Sequence, residues 1–326
     1  MSPVTSRRKF IQGTGAAITA GLTASIPAHA LFSADLLYPP MNLSYFDTPI
    51  SAAPSDIRLG YAAITWGGND RQAIDDIAAL GFRGIQLRAN ALQEFDSAAQ
   101  LRDVLAQHRL VMIALSSGGL RIDPTAEAED LAKHTSHAKF VHDAGGLYLQ
   151  VTDQRPKDRE IRSADYKRLG RLLTELGKRT ADLGVTLGYH NHWGTLSERP
   201  EELEQILEAA DPRYAKLELD VAHYFVGHGD SVKAIETYHD RLLFLHLKDA
   251  EWLGGRASDT GKRPYRFVEL GRGQVDLQAV LDALRKVSFR GWAVIELDSV
   301  PDPSRTPKEC AVTSKKYLEE KLGLKI

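Results

Sequence analysis

The 326-residue chain has one cysteine, Cys310. A lone thiol excludes an intrachain disulfide framework and any metal or redox site built from paired cysteines. An excess of charge is also missing, since 41 Lys and Arg stand against 43 Asp and Glu, a formal −2. A nucleic-acid binder needs a cationic surface to displace counterions from phosphates, so no nucleic-acid partner is expected. The chain has no GxGxxG after its first strand-like run and no P-loop, which leaves nucleotide-binding folds without their usual support. No apolar run reaches the ~20 residues of a membrane-spanning helix. Hydrophobic residues at 43% and charged residues at 26% remain, a composition able to bury a large globular core.

Ser6-Arg7-Arg8-Lys9-Phe10-Ile11 precedes an uncharged stretch, Gln12 to Ile26, rich in Gly, Ala and Thr, and then Ala28-His29-Ala30. Basic, apolar and small-x-small regions in that order read as a secretory signal, and the paired arginines resemble the twin-arginine class. The expected partner is therefore the twin-arginine export machinery, and the expected location is the periplasm. That route carries folded proteins, so a metal would be acquired before export. Removing residues 1–30 deletes Arg7, Arg8 and Lys9 and no acidic residue, which leaves −5. Residues 31–55, with Pro39, Pro40, Pro49 and Pro54, read as an arm or linker before a domain spanning 56–326.

From Asp56 onward, short apolar runs alternate with helical patterns. The spacing predicts strands at Arg58–Ile64, Gly84–Leu87, Val111–Leu115, Leu147–Val151, Val185–Tyr189, Ala215–Leu219, Leu242–Leu247 and Ala293–Leu297. Ile74, Ile77, Ala78 and Leu80 form one helical stripe; Leu169, Leu172, Leu173 and Leu176 form another. Gly81, Gly145, Gly184 and Gly291 stand between helix and strand, where a C-terminal cap needs positive φ. Eight near-continuously apolar strands, each followed by a helix, read as parallel strands buried on both faces, in a closed (β/α)8 TIM barrel. An open doubly wound sheet is the alternative.

Chemistry in such a barrel sits at the C-terminal strand ends. Strand five ends Tyr189-His190-Asn191-His192, strand six Glu218-Leu219-Asp220-Val221-Ala222-His223, strand seven His246-Leu247-Lys248-Asp249 and strand eight Glu296-Leu297-Asp298. Four consecutive strands thus bring His, Asp, His and Glu to one rim. Mixed nitrogen and oxygen donors suit a divalent Mn, Co, Fe or Zn ion better than Ca²⁺, with Mg²⁺ also open.

These segments resemble the sugar isomerase/epimerase superfamily with the xylose-isomerase-like barrel. The resemblance runs from about residue 57 to 315 and rests on Asp220-x-x-His223, His246-Leu247-Lys248-Asp249, Glu269-Leu270-Gly271-x-Gly273 and Glu296. Tyr189-His190-Asn191-His192-x-Gly194-Thr195, Asp220-Val221-Ala222-His223-Tyr224 and Ile64-Thr65-Trp66 look most like inosose dehydratases. The resemblance implies metal ligands at His190, Asp220, His246 and Glu296, where the family's strand-five residue is Glu. His192 is the rival strand-five ligand. With His190 in that place, a symmetric exchange between two glutamates gives way to an elimination, or to an isomerisation with one dominant base.

The expected reaction is proton abstraction beside a carbonyl of a sugar, keto-sugar or cyclitol, passing through an enediolate. Glu296 is the expected base and His192 the proton shuttle. His223 reads as a contact to a substrate hydroxyl, or else as a partner fixing Asp220. Lys248 reads as a holder of a substrate oxygen, or else as a strand-end Lys paired to Asp249. Trp66 reads as a stacking surface for a sugar face or a core aromatic, and Gln86 and Gln150 as readers of hydroxyls. The long connection Ala250–Gln274, with Arg256, Lys262, Arg263 and Arg266, reads as a lid or a homo-oligomer arm. Competing readings are a non-catalytic periplasmic sugar-binding protein and an AP-endonuclease-like nuclease. The nuclease would need acidic groups where Gln86 and Gln150 stand.

Overall fold

The computed structural model describes residues 57–254 and 264–326. The expected signal, the arm, and Arg256, Lys262 and Arg263 lie outside the described residues. The apolar runs form strands β1 (Ile57–Ala62), β2 (Gly84–Arg88), β3 (Val111–Arg121), β4 (Tyr148–Gln154), β5 (Thr186–His190), β6 (Ala215–Asp220) and β7 (Leu242–Leu247). An antiparallel pair follows, β8 (Asp249–Trp252) with β9 (Tyr265–Val268), and then β10 (Gly291–Ile295). Strands β1 to β7 and β10 pair in parallel and close into an eight-stranded barrel, with β10 hydrogen-bonded to both β7 and β1. The expected barrel is the observed one. β3 runs six residues past its expected end through a register irregularity between Ser116 and Gly119.

The helices around it are α1 (Asp70–Ala79), α2 (Ala91–Glu94), α3 (Ala98–Gln107), α4 (Glu127–Asp143), α5 (Ser163–Ala181), α6 (Pro200–Ala209), α7 (Val221–Val226), α8 (Ser231–Tyr238), α9 (Leu277–Lys286) and α10 (Pro307–Glu320). Their apolar stripes, such as Leu169, Leu173 and Leu176 of α5, are fully buried in the main core. Gly81, Gly145 and Gly184 take φ of 95°, 75° and 73° as expected. Gly291 does not. It opens β10, and the left-handed residue of that turn is Ser288, φ 54°.

Inside the barrel, the period of two along each strand stacks side chains in layers. Phe244, Trp292, Val294, Ile113, Ala62 and Ala114 form a separate apolar cluster. Two residues on from Phe244 stands His246, and two beyond that Lys248; Val294 is likewise followed by Glu296 and Asp298. An apolar layer therefore gives way to polar layers toward the C-terminal strand ends.

The β7–β8 junction is held by one carboxylate. Asp249 is buried, and its Oδ1 accepts from the backbone N–H of Ala250 (2.9 Å) and Val275 (3.1 Å), while Oδ2 accepts from Gly271 (3.0 Å) and Gly273 (2.8 Å). Gly271 needs its φ of 80°, and a Cβ on Gly273 would lie 2.2 Å from Asp249 Oδ1. The Glu269-Leu270-Gly271-x-Gly273 segment is thus a backbone cradle for this carboxylate. Asp249→Ala strands four amide donors. It is expected to cost about 2–4 kcal/mol, read as a lower urea midpoint with unchanged slope.

Candidate active site

Register sets the site's geometry. Asp220 of β6 pairs with His246 of β7, and His190 at the end of β5 pairs with Glu218 of β6. Because Glu218 and Asp220 are two apart, both side chains face the barrel interior, where both are fully buried. His246 Nε2 lies 2.8 Å from Gln86 Oε1 and 2.7 Å from Glu218 Oε1. Its Nδ1 faces the opposite way, 3.4 Å from Asp220 Oδ2 and 3.4 Å from Glu296 Oε1. Gln86 is oriented in turn by donating its Nε2 hydrogen to Gln150 Oε1 at 3.1 Å.

Asp220 ends β6 and caps α7, its Oδ1 accepting from the N–H groups of Ala222 (2.9 Å) and His223 (2.7 Å). Its backbone is clamped by the Asn191 amide, which accepts from Asp220 N–H and donates to Asp220 C=O. That leaves Asp220 Oδ2 buried without a hydrogen-bond partner, as are His246 Nδ1 and His190 Nδ1. His190, Asp220 and His246 can each turn a ligand atom to a common point, these atoms lying within 4.8 Å of one another. His190, His192 and His223 form a second such group. In that group both ring nitrogens of His223 are already engaged, Nδ1 accepting the Trp193 N–H (3.1 Å) and Nε2 standing 3.3 Å from Lys248 Nζ. His192 Nδ1 donates to Trp193 C=O at 2.6 Å, which leaves its Nε2 as the acceptor.

Lys248 is completely buried and does not pair with Asp249. Its Nζ donates to Glu296 Oε1 (2.9 Å) and Asp298 Oδ1 (2.5 Å), stands 3.7 Å from Asp220 Oδ2 and sits over the Phe267 ring. Burial works against its charge, but Asp298, Glu296 and Asp220 outweigh burial and raise its pKa, so it stays an ammonium. Burial would raise the Glu296 carboxyl. His246 and Lys248 override it and hold the pKa well below the usual range. Burial pushes Glu218 up to about 7, with His246 partly opposing. For His246, burial is overcome by Glu218 and Glu296, and its pKa rises well above the ordinary value. His190, His192 and His223 are all lowered, burial first, with His246 acting next on His190 and Lys248 next on the other two.

These shifts describe one charge balance. The buried carboxylates Glu218, Asp220 and Glu296, with the half-buried Asp298, outnumber the one buried ammonium they face, Lys248. Without a cation, Glu218 and Glu296 favour the protonated form of His246, while burial favours the protonated form of Glu218. A divalent cation carries the missing charge, and its binding would free the His246 Nδ1 lone pair. The donor set His190, Asp220, His246 and Glu296 therefore fits the divalent metal that the resemblance implies.

A cavity of about 680 Å³ opens at this rim, bordered by His190, His192, Trp193, Glu296, Asp298 and Gln150 among others. Of the residues expected to touch substrate, Gln150 borders it. Gln86, His223 and Lys248 are buried behind the cavity lining, bonded to groups that form it. Trp66 packs edge-on against Tyr61, with its N–H on Asp76 Oδ2 at 2.9 Å, while the nearby cavity wall is Ile64. The sequence reading missed Glu218 and Asp298 as site residues. The signal for both was the i, i+2 spacing, Glu218-x-Asp220 and Glu296-x-Asp298. Part of the expected lid is an ordered ribbon: β8 and β9 bring Phe267 to 4.7 Å from the His223 ring, and Arg266 pairs with Glu251.

The loop carrying His192 is clamped from β4. Asp153 Oδ2 accepts from Tyr189 OH (2.7 Å) and its Oδ1 from Leu196 N–H (2.7 Å). Arg155 donates to Thr195 C=O and to Glu202, which also accepts from Tyr166 OH.

A parallel eight-stranded barrel with its polar cluster at the C-terminal strand ends defines a TIM-barrel protein with its site in the usual place. The family model "Xylose isomerase-like TIM barrel" matches residues 74–320, and the chain belongs to that family. It is 24% identical to an inosose dehydratase of Lacticaseibacillus casei over 298 residues, covering 82% of this chain and 98% of the relative. It is 28% identical to the rhizopine catabolism protein MocC of Rhizobium meliloti over 266 residues, covering 78% and 77%. Among solved structures, the IOLI protein with a binding zinc atom superposes with a TM-score of 0.67 at 18% identity, over 81% of this chain and 97% of that one.

Asp153→Ala leaves Tyr189 OH and the Leu196 N–H without their acceptor. It is expected to cost about 1–3 kcal/mol and to speed amide hydrogen exchange in residues 191–199 ahead of the barrel strands.

Proposed function

We propose that the protein is a divalent-metal-dependent enzyme that moves a proton beside a carbonyl of a sugar, keto-sugar or cyclitol, as an isomerase, epimerase or inosose-dehydratase-like lyase. The observation that carries this reading is the pair of facing, unpartnered buried atoms, Asp220 Oδ2 and His246 Nδ1, grouped with His190, whose ring lies 5.6 Å from that of the cavity-lining His192. Family membership and the inosose dehydratase relatives support it. A divalent cation held by His190, Asp220, His246 and Glu296 would polarise a substrate carbonyl and stabilise negative charge developing on its oxygen.

The chain's own groups handle the proton. His192 presents Nε2 as an acceptor, because Nδ1 is committed to Trp193 C=O. Its lowered pKa keeps the ring neutral and able to take the α-proton. Glu296, expected from the sequence as the base, is bound by Lys248 and strongly acidic, which suits a ligand carboxylate better than a proton acceptor. His192 is therefore the preferred base. As an imidazolium it can return the proton to the same or a neighbouring carbon, or deliver it to a departing β-hydroxyl, which leaves as water. Lys248 holds Glu296 and Asp298 in place, and Gln86 holds the His246 ring.

Incubation with inososes and keto-sugars in deuterated water, followed by NMR, tests the reading. α-Proton exchange that is lost with a chelator and restored by a divalent cation is expected. Absence of exchange and of stoichiometric metal sinks it. His192→Ala is expected to slow exchange about 10²–10⁴-fold without lowering metal content. Glu296→Gln is expected to lower metal content; if it keeps its metal and loses exchange, Glu296 is the base instead.

A further inference from the structure

Glu218 is fully buried, and neither carboxylate oxygen has an aligned hydrogen-bond partner. Two imidazole nitrogens face it: His246 Nε2 at 2.7 Å and His190 Nδ1 at 3.5 Å from Oε1. His246 Nε2 also lies 2.8 Å from Gln86 Oε1, and the two ring centroids are 4.9 Å apart. We propose that Glu218 is a positioning carboxylate shared by these two histidines, and that it selects Nδ1 of His246 and Nε2 of His190 as the nitrogens facing the metal. The proposal rests on the reading of this site as a divalent-cation site.

Two considerations carry it. A histidine that binds metal donates its second ring hydrogen to a carboxylate or carbonyl, which fixes the tautomer and makes the ligand more basic. His246 Nδ1 already faces Asp220 and Glu296, so its Nε2–H must be the one directed at Gln86 and Glu218. For His190, placing the hydrogen on Nδ1 directs it at Glu218 Oε1, 3.5 Å away, where both atoms otherwise lack an aligned partner, and frees Nε2 as the ligand.

The second consideration is charge. His190 is a neutral donor where the resemblance implies a glutamate. Its register partner, Glu218, returns that negative charge next to the ligand ring. Lys248 is already met by Glu296 and Asp298, so the Glu218 carboxylate is left to face the two ligand rings.

The test uses the full chain, stripped with a chelator and reloaded with Co²⁺ or Zn²⁺. Chelator competition is expected to show about 10–100-fold weaker metal binding in Glu218→Gln, with an altered Co²⁺ absorption spectrum. Glu218→Asp, which keeps the charge but withdraws it, is expected to fall between this variant and the parent, and it serves if Glu218→Gln fails to fold. In ¹H–¹⁵N spectra of the Zn²⁺-loaded parent, His190 should carry hydrogen on Nδ1 and His246 on Nε2. Unchanged affinity and Co²⁺ spectrum in Glu218→Gln, or hydrogen on His190 Nε2 in the parent, overturns the proposal. A Co²⁺ spectrum showing the loss of one ligand in Glu218→Gln also overturns it, by making Glu218 a direct ligand. If the parent takes up no divalent cation and Asp220→Asn and His246→Ala behave like it, the metal reading itself has failed, a result distinct from failure at Glu218 alone.

Discussion

Three carboxylates and one ammonium buried within a few ångströms of each other set the terms for the rest of this barrel's upper half. Charges taken out of water are costly unless paired, and Glu218, Asp220 and Glu296 outnumber Lys248. Each surrounding feature reduces that imbalance or fixes its geometry. His246 stands between the carboxylates, Lys248 bridges Glu296 and Asp298, Asn191 clamps the backbone of Asp220, and the first turn of α7 donates two N–H groups to its side chain. A cluster arranged this way has the charge and the free donor atoms to take a divalent ion.

The fold makes such a cluster tolerable by stacking it on an apolar base. Phe244, Trp292, Val294 and Ile113 fill the layer from which β7 and β10 continue to His246 and Glu296. Behind the rim, Asp249 ties β8 to the glycine cradle at 271–273, and Asp153 and Arg155 tie the His192 loop to β4. These carboxylates resemble catalytic groups in burial and residue type, yet their oxygens are already occupied, by backbone N–H groups at Asp249 and by the Leu196 N–H and Tyr189 OH at Asp153. Accounting for each oxygen separates scaffold from site here: Asp249 has four amide partners, whereas Asp220 keeps one oxygen free.

Much of this was legible in the chain. Eight apolar runs spaced by helical stripes identified the barrel, because parallel strands buried on both faces leave that pattern with no long-range information. The strand-end motifs also brought His190, Asp220, His246 and Glu296 to one rim, since the barrel places all C-terminal strand ends together. Gly291 was misread because a turn before β10 takes its left-handed residue at Ser288, and sequence does not say which residue of a turn bears that φ. Lys248 could equally have paired with Asp249 or with another strand. Adjacent strand residues point to opposite faces, and only the register shows that Lys248 meets Glu296 and Asp298.

The sequence by itself determined the barrel, the rim and the donor types delivered to it, because these follow from local periodicity and from strand ends. Tertiary structure decided which atoms are left over. Whether an oxygen or a ring nitrogen is free depends on partners up to 160 residues away, as with Gln86 and His246. No local pattern encodes that accounting. Glu218 became visible as a site residue, and Trp66, Gln86, His223 and Lys248 moved behind the cavity lining, only once strand register had placed every partner.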